Sequence, residues 1–206
     1  MKIICIGRNY AEHAKELNNP LPTEPVVFMK PPTALLLDGR PFYYPDFTSD
    51  LHYELEIVIK IGKNGRHISP DHAVSYIDEI GLGIDFTARD LQDRCKKNGH
   101  PWEIAKGFDH SAVLGSFISA QDLNLNNIHF ELEKNKIVVQ KGNTQEMIFS
   151  FSDIIVYLSK FFRLQMGDYI FTGTPAGVGA VKIGDCLEGY MNLNGDRQKM
   201  LICEIK

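Results

Sequence analysis

The run Leu51-His52-Tyr53-Glu54-Leu55-Glu56-Ile57-Val58-Ile59-Lys60 constrains this chain more than any other. Leu51, Tyr53, Leu55, Ile57 and Ile59 occupy every second position, and a β-strand places such residues on one face. That face has to meet a core. His52, Glu54 and Glu56 then share the opposite face, where two carboxylates held so close repel each other. Solvent around both, a shared proton, or a cation between them relieves the repulsion. The spacing alone does not choose. Glu131-Leu132-Glu133 repeats it ahead of Lys134-Asn135-Lys136, a polar hairpin signal, and there exposed carboxylates are expected.

Enclosing such a strand takes a sizeable core. The chain has 206 residues, 44% apolar and 23% charged, which suits one domain over 1–206. A net charge of −4 argues against a general binder of nucleic acid or anionic membrane. No apolar run approaches the roughly 18 residues of a membrane span, and the N-terminal one is too short for a secretory leader. Cys5, Cys95, Cys186 and Cys203 lie far apart, so neither a zinc site nor a disulfide framework is expected, and a cytoplasmic location is.

Strand patterns cover 2–6, 26–30, 51–60, 80–85, 112–118, 128–133, 137–140, 168–172, 185–191 and 198–205. A short helix over 11–17 is stopped by Asn18-Asn19-Pro20 and carries His13 and Glu16 on one face. The polar, proline-containing stretch after it suggests a mobile lid over 10–20. Ser69-Pro70 opens a helix as N-cap and first residue. Thr87, with Asp90 three residues on, is expected to cap a helix ending at Gly99. Pro101-Trp102 begins a loop containing Lys106. A helix over 152–162 has the stripe Ile154, Ile155, Leu158, Phe161 and Phe162. Strands outnumber helices without regular alternation, so the fold class is α+β and β-rich.

Candidate chemistry gathers around the first strand. Asp85 ends a strand in which Gly81 and Gly83 share its face and leave room for an approaching group. Glu54, Glu56 and Asp85, with no cysteine, suit Mg²⁺ or Mn²⁺. For Asp85 the competing role is a helix cap. His13 and Glu16 form a dyad if the carboxylate orients the imidazole, or else face solvent. Lys106 and Arg89 are candidates to bind a carboxylate or stabilise an enolate, against simple surface solvation. Lys30 is hard to place on a surface, since it sits in an apolar strand ahead of two prolines. The loop Thr172-Gly173-Thr174-Pro175-Ala176-Gly177-Val178-Gly179 can turn backbone N–H groups toward an anion, or simply join two strands. It lacks the Lys-Ser/Thr of a phosphate-binding loop.

Taken together these stretches resemble the fumarylacetoacetate hydrolase family, in particular its short members akin to acylpyruvate hydrolases and oxaloacetate decarboxylases. The resemblance rests on Gly7-Arg8-Asn9-Tyr10 with His13, Phe28-Met29-Lys30-Pro31, and Leu51 to Glu56. It continues through Asp85-Phe86-Thr87-Ala88-Arg89-Asp90-Leu91-Gln92, Trp102 with Ala105-Lys106, and Thr172 to Gly179. It implies a mixed β-roll or sandwich with a few peripheral helices, usually a homodimer. It implies Mg²⁺ or Mn²⁺ on Glu54, Glu56 and Asp85, and a catalytic dyad of His13 and Glu16 on a lid helix. Lys106 would be catalytic or stabilise an oxyanion, while Arg8, Lys30, Gln92 and Thr174 would contact substrate. The implied substrate is a small 2-oxo acid. The implied reactions are acylpyruvate hydrolysis, oxaloacetate decarboxylation, or tautomerisation or isomerisation through the same metal-stabilised enolate. A non-catalytic, metal-stabilised binding domain is the alternative of a different class.

Overall fold

Leu51, Leu55, Ile57 and Ile59 are fully buried, as the alternation requires, but the opposite face is buried too. The reason lies in where the strand runs. In the computed structural model, which describes residues 1–16, 20–37, 39–121, 123–193 and 195–206, it breaks at Glu54 and passes from a small sheet into a large one. Residues 17–19, the predicted end of the first helix and the start of the segment after it, lie outside the described residues.

In chain order the strands are β1 (Ile3–Ile6), β2 (Val27–Lys30), β3 (Leu35–Leu36), β4 (Leu51–Tyr53), β5 (Leu55–Ile61), β6 (Ile77–Asp85), β7 (Thr87–Ala88) and β8 (Ala112–Ser119). They continue with β9 (His129–Lys134), β10 (Ile137–Asn143), β11 (Tyr169–Phe171), β12 (Gly179–Ala180), β13 (Cys186–Leu193) and β14 (Asp196–Glu204). The helices are α1 (Ala11–Glu16), α2 (Pro70–Ala73), α3 (Arg89–Asn98), α4 (Glu103–Lys106) and α5 (Phe151–Phe161). Among the described residues, seven strands form the large sheet in the order β2-β1-β11-β5-β6-β8-β3. The β1–β11 and β3–β8 pairs are parallel and the rest antiparallel, so the sheet is mixed. A four-stranded sheet, β10-β9-β13-β14, and a three-stranded one, β12-β4-β7, complete the fold. The β-rich α+β architecture with peripheral helices is the one the sequence implies.

The main core lies between the sheets. Leu55, Ile57 and Ile59 pack there with Leu82, Ile84, Leu132, Leu187 and Leu201. Each such side chain contributes roughly 1.5–3 kcal/mol through burial. A second cluster, including Ile3, Cys5, Val58 and Phe171, covers part of the other face of the large sheet. The ladder pairs Leu55 with Ile84 and Glu56 with Gly83, and Asp85 donates its backbone N–H to Glu54 at 2.8 Å. That register leaves Glu54, Glu56 and Asp85 on one face, beyond the end of the second cluster.

The close approach expected at Gly81 and Gly83 is present, and the protein itself makes it: a Cβ on Gly83 would lie 2.6 Å from the Phe171 ring, and one on Gly81 about as close to the Ser116 carbonyl oxygen. Other expectations are corrected. Thr87 does not cap α3. It pairs with His52 in the ladder between β4 and β7, and Ala88 takes the cap position with no side-chain bond. Asp90 instead accepts bonds from the Thr48 hydroxyl at 2.6 Å and from the Ser49 and Leu91 N–H groups. Lys106 ends a short helix, α4, rather than lying in a loop. Gly99 does stop α3, at φ 66°. Phe161 departs from the α5 stripe and is 58% exposed. Glu131 and Glu133 are only partly exposed, because Arg197 pairs with both. Asn135 and Lys136, at φ 53° and 68°, make the two-residue turn between β9 and β10.

Candidate active site

Glu54, Glu56 and Asp85 are 5, 2 and 1% exposed, so solvation is excluded as the relief for their repulsion. Each offers an oxygen within 4.8 Å of the others. Cations reach two of them from distant parts of the chain. Arg89, at the start of α3, donates through Nη2 to Glu54 at 2.5 Å. Lys106 Nζ, at the end of α4, bonds Glu54 at 2.7 Å and Asp85 at 2.8 Å. Lys30 Nζ lies 2.7 Å from Asp85 Oδ1 and donates to the carbonyl and hydroxyl of Ser111 and to the Lys106 carbonyl.

Glu56 has no ion pair among the described residues; its carboxylate accepts one bond, from the Gly173 N–H at 2.7 Å. Burial pushes the Glu56 carboxyl well above the usual range, and Asp85 and Glu54 push it further. Burial also works against the Glu54 anion, but Lys106 and Arg89 outweigh it and hold that carboxyl well below its ordinary value. The Lys106 ammonium likewise stays charged, because Asp85 and Glu54 more than offset its burial. A buried carboxylate without a cation needs a proton or a further cation. Three convergent carboxylates with an all-oxygen donor set fit a hard divalent ion. The residues present therefore fit Mg²⁺ or Mn²⁺.

The dyad lies at the same cleft. His13 Nδ1 is 3.2 Å from Glu16 Oε2, and the Glu16 carboxylate accepts the Gly177 N–H at 3.1 and 3.2 Å. A carboxylate at Nδ1 fixes the tautomer with its lone pair on Nε2. Burial lowers the imidazole pKa below its ordinary 6.5 by more than Glu54 and Glu16 raise it, so the ring is neutral at neutral pH. The loop after β11 thus does present N–H groups to anions, and both anions are the protein's own side chains. Glycine is required at two of its positions. Gly173 (φ 101°) lets Asn9 approach, where a Cβ would lie 2.6 Å from the Asn9 Cβ. Gly177 (φ 97°) packs against the Val139 carbonyl oxygen.

Arg8, His13, Glu54, Glu56, Gln92, Lys106 and Thr174 all line one narrow cleft with a cavity volume of about 30 Å³. Gln92 accepts from Arg89 Nη1 at 2.7 Å, and Thr174 donates to the Leu55 carbonyl. Arg8 sits at φ 153°, a backbone region that side chains rarely adopt, so the fold holds it there under strain. Lys30 is enclosed behind Asp85 rather than on the wall. Arg89 lines the cleft as well.

Sequence reasoning did not assign a role to Asn9, Gln140 or Lys96. Asn9 Nδ2 bonds the Thr172 and Phe149 carbonyls, each at 2.9 Å, and so fixes the glycine loop beside β1. Gln140 accepts the Leu55 N–H and donates to Thr174 Oγ1, repairing the break between β4 and β5. Neither gives a local signal, since Asn9 acts across 163 residues of chain and Gln140 across 34 and 85. Lys96 lines the cleft from the last turn of α3.

A mixed-sheet fold that gathers three buried carboxylates, two lysines and a His–Glu pair beside one cleft has the makings of an enzyme site, and comparison identifies the family. Residues 2–200 match the model of the fumarylacetoacetate (FAA) hydrolase C-terminal family, and the chain belongs to that family. It is 44% identical over 184 residues to the mitochondrial oxaloacetate tautomerase of Bos taurus, covering 89% of this chain and 83% of the relative. Identity to the mitochondrial oxaloacetate decarboxylase of Dictyostelium discoideum is 42% over 200 residues, covering 96% and 92%. The crystal structure of fumarylpyruvate hydrolase from Pseudomonas aeruginosa, in complex with Mn²⁺ and pyruvate, superposes with a TM-score of 0.91 at 35% identity, covering 100% of this chain and 89% of that one. The chain is an enzyme of this family, and the names of these three relatives share 2-oxo acids as a compound class. No helix among the described residues is long and apolar enough to cross a membrane.

Proposed function

We propose that this enzyme cleaves a C–C bond in a small 2-oxo acid through an enolate, with a divalent cation held by Glu54, Glu56 and Asp85. The observation that carries this reading is a cation-deficient carboxylate, Glu56, facing the same cleft as a neutral His13 oriented by Glu16. The cation supplies Lewis acidity toward the substrate's carbonyl end when bound. His13 Nε2 takes a proton from water, which attacks the distal carbonyl of an acylpyruvate; collapse of the adduct breaks the C3–C4 bond to release a carboxylic acid and the enolate of pyruvate, and the imidazolium, stabilised by Glu16, returns the proton to the enolate carbon. Lys106, charged and fixed between Glu54 and Asp85, offers a positive potential to the developing enolate oxygen. Arg8, Gln92 and Thr174 place polar groups on the wall to orient the acid, and Lys30 supports the site from behind Asp85. The described part of the expected lid, α1, carries the dyad and acts as a cover over substrate. Oxaloacetate needs no water, because loss of CO₂ gives the same enolate of pyruvate.

A second reading is keto–enol tautomerisation of oxaloacetate, in which His13 moves a proton at C3. The 44% identity to a tautomerase favours it. One experiment separates the two. The purified protein is stripped with a chelator, and consumption of acetylpyruvate, ketonisation of enol-oxaloacetate and CO₂ release are followed with and without Mg²⁺ or Mn²⁺. Metal-dependent acetylpyruvate loss or CO₂ release, well above the metal alone, supports cleavage. Ketonisation alone supports the tautomerase. No metal-dependent turnover of any of the three overturns both. A homodimer is part of this reading. Sedimentation at twice the 23.3 kDa chain mass supports it, and a monomer refutes it.

A further inference from the structure

Four cationic side chains line the cleft: Arg8, Arg89, Lys96 and Lys106. Arg89 and Lys106 are committed to Glu54 and Asp85. Arg8 and Lys96 make no ion pair among the described residues. Lys96 is half-buried on the last turn of α3, with its Nζ 5.9 Å from the centroid of the Trp102 ring, another wall residue. Lys97, next in sequence, is exposed and does not line this cleft. Burial pulls the Lys96 pKa down, and Arg89 and Arg8 pull it further while Asp93 and Glu54 oppose them; an anion at this wall would relieve the positive charge that Arg89 and Arg8 bring to Lys96.

The carboxylate cluster is the proposed seat of the 2-oxo acid's reacting end. A substrate with one carboxylate leaves Arg8 and Lys96 unmatched; a substrate with two does not. We propose that Lys96, flanked by Arg8, binds the second carboxylate of a dicarboxylic 2-oxo acid and makes the enzyme prefer such acids over acylpyruvates with a neutral tail. This rests on the proposed function above and names the substrate class of that site. The competing explanation is structural: a lysine in the last turn of a helix is stabilised by the helix dipole and packs its stem on Trp102.

The test uses Lys96→Met, the conservative Lys96→Arg, and Lys97→Met as a control. Binding is read from the fluorescence of Trp102, the chain's single tryptophan, in the presence of Mg²⁺. The probes are malate and lactate, unreactive 2-hydroxy acids that differ by one distal carboxylate. A charge-assisted bond predicts that the parent enzyme binds malate roughly ten- to a hundredfold more tightly than lactate. Lys96→Met should abolish that preference with lactate affinity unchanged, while Lys96→Arg and Lys97→Met keep it. In turnover, Lys96→Met should raise KM for oxaloacetate by a similar factor and leave acetylpyruvate within about threefold. A parent enzyme that does not distinguish malate from lactate, or a Lys96→Met variant that keeps the preference or weakens both ligands equally, overturns the proposal. Failure to turn over either substrate would instead count against the proposed reaction, and the binding experiment still decides the role of Lys96.

Discussion

Replacing Lys106 with methionine tests the charge balance on which the site stands. The ammonium makes two buried bonds, to Glu54 at 2.7 Å and to Asp85 at 2.8 Å. Hydrogen bonds to charged groups contribute roughly 1.5–3 kcal/mol each, so the gross loss is about 3–6 kcal/mol. Two features reduce it. The desolvation cost of the ammonium disappears with the group, and Glu54 keeps Arg89 while Asp85 keeps Lys30. Methionine also fills most of the space of the lysine stem. The expected net loss at neutral pH is about 3 kcal/mol, the lower end of what breaking a buried pair costs. For a chain of this size that lowers Tm by roughly 6–12 °C.

Thermal melts of chelator-treated parent and Lys106→Met measure the difference. The pH dependence follows from Glu54. Its carboxyl is held below its ordinary 4.5 in the parent, so its stabilisation is present above that value and lost as pH falls through the depressed one. The gap between parent and variant should therefore close in acid below about 4.5. A divalent ion brings positive charge to the same carboxylates, so Mn²⁺ should raise the Tm of the variant by more than that of the parent. A variant that melts with the parent when metal-free, or gains no more from Mn²⁺, refutes the reasoning.

The other predictions concern the dyad and the unpaired carboxylate. His13→Ala should slow acylpyruvate hydrolysis roughly 10²–10⁴-fold while leaving Mn²⁺-induced stabilisation unchanged, and undiminished hydrolysis would remove His13 from its assigned role. Because burial depresses the His13 pKa, the acid limb of kcat/KM should fall below 6.5, and a limb above that value would contradict the geometry. The same depression stabilises the fold above 6.5, and this contribution is lost as pH falls through the lowered value. Glu56→Gln retains an acceptor for the Gly173 N–H and removes a buried charge that no cation matches. Its metal-free form should melt at or above the parent temperature while Mn²⁺ stabilisation falls sharply. A Glu56→Gln protein that still gains the parent's full Tm increment from Mn²⁺ would exclude Glu56 as a ligand.

The sequence made the inward face of β5 legible because period-two alternation is a local signal. The fate of the other face was not local. Glu54 and Glu56 read as two carboxylates on a strand, whether solvated or not, because the groups that decide the matter are distant: Lys106 lies 52 residues from Glu54, and Gly173 lies 117 from Glu56. The pattern at Glu131 and Glu133 shows the same limit, since Arg197 reaches them from β14. Thr87 has the right chemistry for a helix cap, yet its backbone was claimed by β4, a tertiary pairing that overrides a local preference. Gly81 and Gly83 announced a close approach but not by what. The resemblance to a family brought His13, Glu16, Lys106 and the three carboxylates to attention together. Lys96 escaped because a lysine near a helix end has an ordinary explanation, and only the cleft gives it another.

The loop that follows β11 holds Glu56 by the N–H of Gly173 and Glu16 by the N–H of Gly177, four residues apart. One short piece of backbone therefore serves as a jig for two instruments, the proposed cation seat and the carboxylate that orients the proposed proton acceptor, and sets the distance between them. Neither can drift without carrying the other. Trp102 and Lys96, on the outer wall, make no hydrogen bond to that loop among the described residues. A lineage can recut the wall for a longer, shorter or differently charged acid while the working parts keep their alignment, so members of one family can share the same engine and run it on different fuel.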